Sequence, residues 1–364
     1  MKRLNIVCIT FFLTLLVSCK NEENNFLKSD KVVYLTEDSE PLLQKVTEYE
    51  KIDLPEEETM ASYFHVYLDT ILVIVHNMPD PYWLTIMNLK TMKVVANYFK
   101  KGNGPEEMLF NDTYLHNNRL LFIDRVALKF SILNLDSVMR LRQSYKPHFF
   151  YLSSTGYATL DALTDTSFLF YNSWYLENAG EKINKDTPEL IITGADANYN
   201  YEPQKEATVV NIVSGAGVLS DVNRQKVFIY HFYKPQITLL NSNLDTIKII
   251  CGPEPIEKYK YEDKGDFGGL WPVLYNEYYR KGISTDNFIL VKNNRLYNVP
   301  PKKLTEVREN HKPEIFKFDW EGNLIARYQV KTFYALSGFS EKTNTLYLTI
   351  RDEEGENCLY KAQL

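Results

Sequence analysis

Cysteine is scarce in this chain, with four in 364 residues, at positions 8, 19, 251 and 358. That excludes a disulfide framework, and no Cys-x-x-Cys spacing is present to suggest zinc. The six histidines (65, 76, 116, 148, 231 and 311) include no pair at three- to five-residue spacing, and His-Glu-x-x-His is absent. There is no Asp-x-Asp-x-Asp-Gly calcium loop, and Asp196 is the only carboxylate in the loop-like run 193–198. No metal or other cofactor is implied. The Gly-x-Ser-x-Gly nucleophile elbow is missing, and Ser214-Gly215-Ala216-Gly217 reads as a turn. Gly102-Asn103-Gly104 is not followed by the Lys-Ser/Thr of a phosphate loop, and the sialidase Asp-box does not occur. The pairs Glu106-Glu107 and Glu353-Glu354 read as solvated loop carboxylates rather than an acid/base couple. Basic residues are outnumbered, 41 against 47, which argues against a nucleic-acid partner. Glycine and proline stand at only 15 each, against 26 Tyr and 20 Phe, a balance that leans toward strand.

Long hydrophobic runs are absent after the N-terminus. The run 4–17, preceded by Lys2 and Arg3, spans about 21 Å as a helix, short of a roughly 30 Å hydrocarbon core. It reads as a secretory signal. It ends in Leu16-Val17-Ser18-Cys19, which resembles the bacterial lipobox, in which the chain is cut before a lipidated cysteine. The resulting organisation is a lipoprotein signal peptide at 1–18, a lipidated N-terminus and tether at 19–41, and a folded domain at 42–364. Lys20 rather than Asp follows Cys19, so the usual inner-membrane retention signal is missing. A Lys followed by acidic residues resembles the surface-export signal of Bacteroidetes lipoproteins. The implied location is the cell envelope, lipid-anchored in the outer membrane and open to surface display. Removing 1–18 takes Lys2 and Arg3 away and moves the formal charge from −6 to −8. Cys251 and Cys358 then remain as the thiols that an oxidising compartment could pair.

The mature chain repeats. A turn, a short apolar strand and a polar exit recur at 69–76, 118–124, 165–172, 224–231, 286–293 and 344–352. Steps between exits are 48, 47, 60, 61 and 59 residues. A second turn follows in most copies: Asn88-Leu89-Lys90-Thr91, Asn134-Leu135-Asp136-Ser137, Asn184-Lys185-Asp186-Thr187, Asn243-Leu244-Asp245-Thr246 and the turn at 318–323. Asn, Asp and Gly supply the backbone conformations that hairpins need. Units of this length with about four strands predict an all-β fold, a six-bladed β-propeller. The last copy ends after one more strand, so a strand within 46–54 is expected to complete the last blade from the N-terminus. The region 252–285 reads as an insertion with a helical turn or two, and 299–312 as a second, shorter insertion.

Lys101-Gly102-Asn103-Gly104-Pro105-Glu106-Glu107 and the degraded copy Cys251-Gly252-Pro253-Glu254 follow the last strands of units one and four. With the lipobox, this connector resembles the six-bladed, TolB-like propeller lipoproteins of Bacteroidetes. The Ser-Pro-Asp-Gly repeats of TolB proper are absent. The resemblance implies an envelope protein and lends no chemistry.

Equivalent positions of successive blades gather at one end of a propeller. The strand exits therefore form the candidate binding face: His76, Asp124 with Arg125, Tyr171, His231, Lys292 and Arg351, with Trp83 and Trp174 as stacking rings. Such a face suits a glycan, a peptide or an envelope protein, alongside the membrane reached through the lipid. Two alternatives compete. One is a lyase or hydrolase acting on glycan or peptide, with His76 or His231 paired to Asp124. The other is a structural subunit of an envelope complex. Substituting Cys19→Ala is expected to move the protein from the membrane to the soluble fraction, read by fractionation and immunoblotting.

Overall fold

A computed structural model describes residues 30–36, 38, 40–55, 61–77, 81–109, 112–116, 118–124, 126–127, 129–151, 159–162, 167–171, 189–193, 216–221, 223–242, 245–252, 261–263, 270–272, 274–331 and 335–364. The signal, Cys19, Arg125, Trp174 and the turn at 184–187 lie outside them. Among the described residues the fold is all-β, with many short strands in several sheets and two short α-helices, Leu135–Leu141 and Leu304–Asn310.

Consecutive strands of a repeat pair antiparallel, except in the third, where Ser167–Tyr171 pairs parallel with Glu189–Thr193. In the first, Ala61–Tyr67, Ile71–His76, Tyr82–Asn88 and Lys93–Lys101 pair in sequence order. The second strands explain the stacking of these sheets. Residues 71–75 are all buried, as are 120–124, 227–231 and 346–350. A strand buried on both faces needs a neighbouring sheet on each side. The innermost strands accordingly neighbour one another in chain order: 112–116 beside 159–162, then 216–221, 275–284, 335–340 and back to 61–67. Two close approaches depend on missing side chains. A Cβ on Gly338 would meet the Val66 carbonyl at 2.4 Å, and one on Gly217 would meet the Tyr230 ring at 2.0 Å. The Tyr230 hydroxyl also accepts the Gly282 N–H at 2.9 Å, tying the fourth unit to the fifth.

The second and fifth repeats differ from independent units. A bridge between His116 and Ser284 joins them into one nine-stranded sheet, and no sheet closes on itself.

Several turns form as the sequence predicts. Asn88 accepts from the Lys90 and Thr91 amides, both at 3.0 Å, and Asp319 accepts from Glu321 and Asn323 at 3.0 and 2.7 Å. Asn134 acts differently. Its side chain accepts the Ser137 N–H at 2.9 Å as an N-cap, and helix Leu135–Leu141 follows with Leu135 and Val138 buried. The stretch 271–281, expected to hold a helical turn, is instead strand: Leu270–Pro272, then Tyr275–Ser284. The insertion 299–312, with no helix expected in it, holds the short helix Leu304–Asn310.

The N-terminal segment runs along outer sheet edges. Val32–Tyr34, assigned from sequence to the tether, pairs parallel with Thr246–Cys251 of the fourth unit. Leu43–Lys45 pairs parallel with Leu324–Gln329 of the fifth. Glu50–Lys51, within the expected 46–54, pairs antiparallel with Asn357–Gln363 of the last. Side chains hold this segment in place. The Glu40 carboxylate is almost fully buried and pairs with Arg327 and, at 3.2 Å, with Arg295. Arg327 also pairs with Glu314 at 2.8 Å. Lys331 sits over the rings of Tyr49 and Tyr360, 4.5 and 4.3 Å from their centroids. Glu40→Ala should cost about 3 kcal/mol in urea unfolding, because it leaves two guanidinium groups facing a buried gap. A loss indistinguishable from that of Glu48→Ala, an exposed neighbour, would contradict this.

Candidate functional site

The residues expected at the strand exits turn out to be largely occupied with structure. Asp124 is fully buried, and its carboxylate accepts backbone N–H groups from Leu109, Val126 (2.9 Å) and Ala127 (2.8 Å). Trp83 is a core residue rather than an exposed stacking ring. It packs with Leu84, Tyr98 and Met108, and its indole N–H donates to the Met108 carbonyl at 2.8 Å. His76 is half-buried, 2.9 Å from the Thr85 hydroxyl, and burial lowers its pKa. His231 is buried, with Nε2 3.5 Å from the Thr238 hydroxyl. Tyr171 ends the strand Ser167–Tyr171, opposite Thr159 and Thr193. Arg351 is exposed and pairs in register with Asn357.

The fold does bring the fourth and fifth exits together, through a residue the sequence did not single out. Arg280 is in register with Lys292, and its guanidinium lies 4.4 Å from the Phe232 ring and 4.9 Å from that of Tyr233. It donates to the Tyr233 hydroxyl at 3.0 Å. The connector between units one and two is also structural. Glu107 accepts the Gly104 N–H at 2.8 Å, and a Cβ on Gly102 would collide with that carboxylate. Lys129 of the second unit donates to the Gly104 carbonyl at 2.8 Å. The two glycines are there because a carboxylate closes over them.

Inner strands of the second unit meet those of the first and of the fifth through polar groups. His65 Nε2 is 3.0 Å from the Thr113 hydroxyl, the Tyr63 hydroxyl bonds the same oxygen, and His116 Nδ1 is 2.7 Å from the Ser284 hydroxyl. Burial, with the Lys281 charge adding to it, pushes the His65 pKa down to about 3.

The opposite end of the sheets, where each first strand turns into its second, carries a connected network. Arg224 donates to Asn287 at 3.3 Å. Asn287 donates from its backbone and its amide to Glu341, at 2.9 and 2.7 Å. Ser340 and Thr343 donate to Asp69, and so does Tyr347 at 2.8 Å. The turns of units four, five, six and one are thus linked in order. Lys248 adds to the belt by donating to the carbonyls of Glu321 and Gly322 and to Asn323. Bonds from Thr285 and Asn287, with the Lys317 charge, lower the Glu341 pKa although burial opposes them. Burial, the bond to Asp69 and its charge all raise that of Tyr347.

Within this end lies a cavity of about 650 Å³. Its floor and walls are mostly apolar: Val66, Leu115, Ile283 and Phe339. Tyr67, Thr70, Lys90, Asp286 and Lys342 contribute polar groups. Burial, then the charges of Asp136 and Asp286, push the Tyr67 pKa up to about 12. Of the expected site residues among the described ones, His76, Trp83, Asp124, His231, Lys292 and Arg351 do not line the cavity. The signal for it was nonetheless in the repeat, as the Asp at the start of the first and fifth copies (Asp69 and Asp286), read only as a turn former. Among the described residues no cluster of three or more His, Cys, Asp or Glu could hold a metal, Cys251 and Cys358 are free thiols, and no helix is long and apolar enough to cross a membrane.

No family model matches the chain, and no curated protein matches it. Solved structures do resemble it at low identity. A Bacteroides fragilis protein described as exported is 13% identical, over 92% of this chain and 99% of its own, with a TM-score of 0.44. A Bacteroides vulgatus member of the DUF4221 family is 9% identical over 87% and 96%, at 0.47. The virginiamycin B lyase of Staphylococcus aureus is 11% identical over 87% and 99%, at 0.43. Scores at this level assign neither family nor function.

The buried His65 makes stability pH-dependent. Its folded pKa lies below the unfolded value of 6.5, so only the unfolded state takes up a proton between them. Stability is complete above about pH 6.5 and falls as the pH drops, by up to about 1.4 kcal/mol per pH unit from this group. Urea midpoints at pH 7.5, 6 and 5 should show the loss, and His65→Asn should flatten it.

Proposed function

We propose that this chain is a lipid-anchored, six-bladed propeller of the bacterial cell envelope that binds a peptide segment in the cavity at its turn end. The observation carrying the binding role is that cavity: apolar on its floor, with charges of both signs among its polar groups. Such a lining takes an aliphatic or aromatic side chain inside and pairs a backbone or terminus at the edge. A glycan is less well served, since the ring expected to stack on it at Trp83 is in the core. The enzyme alternative loses its base, because three backbone amides already occupy Asp124.

The six repeats, the inner strands neighbouring one another in chain order and the edge strand Glu50–Lys51 support the propeller reading. The lipobox supports the anchor. The connector, in which Glu107 closes over Gly102 and Gly104, supports likeness to the TolB-like lipoproteins.

A thermal-shift screen of short peptides, glycans and metal ions tests the binding role. A peptide that raises Tm should lose its effect on Thr70→Trp, which fills the cavity, and keep it on His76→Ala at the opposite end. A ligand whose shift survives Thr70→Trp but not His76→Ala would return the site to the strand exits.

A further inference from the structure

We propose that the cavity at the turn end captures the free C-terminus of a peptide, with an apolar last residue inside and the terminal carboxylate between Lys90 and Lys342; this rests on the peptide-binding reading above. Most polar groups of the lining are spent within the fold. The Ser284 hydroxyl is 2.7 Å from His116 Nδ1, and the Ser337 hydroxyl is 2.7 Å from that of Thr349. Asp69 accepts from Ser340, Thr343 and Tyr347, and Glu341 accepts from Asn287. By contrast, the charged groups of Lys90, Lys342 and Asp286 have no hydrogen-bond or ion-pair partner among the described residues. All three residues are exposed. The interior therefore offers apolar surface, and the mouth offers two free ammonium groups against one free carboxylate.

The two lysines converge on one dipeptide. The Leu89 N–H donates to the Thr70 carbonyl at 2.8 Å, which lays the turn carrying Lys90 against Thr70. The Thr343 hydroxyl donates to Asp69 at 3.0 Å, which brings the turn carrying Lys342 to the same place from unit six. Each lysine is thus one residue away from a contact to Asp69-Thr70, and its long, flexible stem lets the ammonium reach over that dipeptide. Asp286 belongs to unit five. After burial, its charge and that of Asp136 raise the Tyr67 pKa, so the potential at Tyr67 is negative. A carboxylate is attracted at Lys90 and Lys342 and repelled near Tyr67 and Asp286. A segment from the middle of a chain would set a neutral peptide bond between the lysines, whereas a C-terminus sets a charge there.

The lip of the cavity carries an independent signal. The Thr70 N–H donates to the Tyr67 carbonyl at 3.2 Å, closing a turn whose two central residues, Leu68 and Asp69, both have positive φ, 49° and 54°. Such turns favour Asn and Gly at these positions, and a leucine there is strained. Leu68 is also 62% exposed, and it lines the cavity. Neither turn chemistry nor packing within the fold accounts for an exposed leucine at this φ. Contact with an apolar ligand does, because the turn fixes the side chain at the opening.

The test is fluorescence polarisation with the mature chain and fluorescein-labelled Gly-Ser-Gly-Ser-Leu, as the free acid and as the C-terminal amide. The acid should bind about tenfold more tightly than the amide, and an acid ending in Ser should lose about as much. Lys90→Gln combined with Lys342→Gln should bring the acid down to the amide. Lys302→Gln combined with Lys303→Gln, outside the cavity, should leave the ratio unchanged. Leu68→Asn, which suits the turn, should weaken acid and amide alike by about fivefold without lowering Tm. Equal binding of acid and amide that Thr70→Trp abolishes would overturn the C-terminal reading and keep the peptide reading. An acid preference that survives the loss of both lysines would also overturn it. No binding of either peptide at millimolar concentration would refute the peptide reading and this inference together.

Discussion

The architecture depends on strands that bury both of their faces. Ile71–Val75 has every side chain sequestered, and the second strands of units two, four and six behave alike. A sheet with two apolar faces is unstable unless each is covered, and here the only cover on offer is another copy of the same sheet. Successive repeats therefore stack face to face, with their inner strands neighbouring one another in chain order. Gly338 marks where two units press closer than any side chain would allow.

Stacking settles the faces and leaves the outer edges open. An unpaired edge strand invites association with other chains. The N-terminal segment answers this at three units, laying strands on the edges of the fourth, fifth and last. Its hydrogen bonds are few, since the three strands total only eight residues. The buried Glu40 between Arg295 and Arg327, and Lys331 between Tyr49 and Tyr360, supply what so short a ladder lacks. These are tertiary contacts over hundreds of residues, so the segment is ordered only once the sheets exist.

The two ends of the stack have different characters. At the exit end, polar residues are spent on local geometry: Asp124 on a turn, Glu107 on a connector, Arg280 on two aromatic rings. At the turn end, polar residues reach between units, from Arg224 through Asn287 and Glu341, and from Ser340 and Thr343 to Asp69. That belt encloses a cavity instead of filling it. The end that looked like punctuation in the sequence holds the space for a ligand, and the end that looked like a binding face is mostly structural.

What the amino-acid order alone determined was strand content and the phase of the repeat. Both are set by local chemistry: β-branched and aromatic runs, and Asn and Asp at turns. Even there, the side-chain oxygen of Asn134 served a helix as readily as a hairpin, because capping and turn formation use the same bond. Only the tertiary structure decided which polar residues were free to act. Asp124 and Trp83 look available in sequence because burial and hydrogen-bond partners come from distant strands. Asp69 and Asp286 look like turn formers for the same reason, since the neighbours that turn them into a cavity rim lie in other units of the chain.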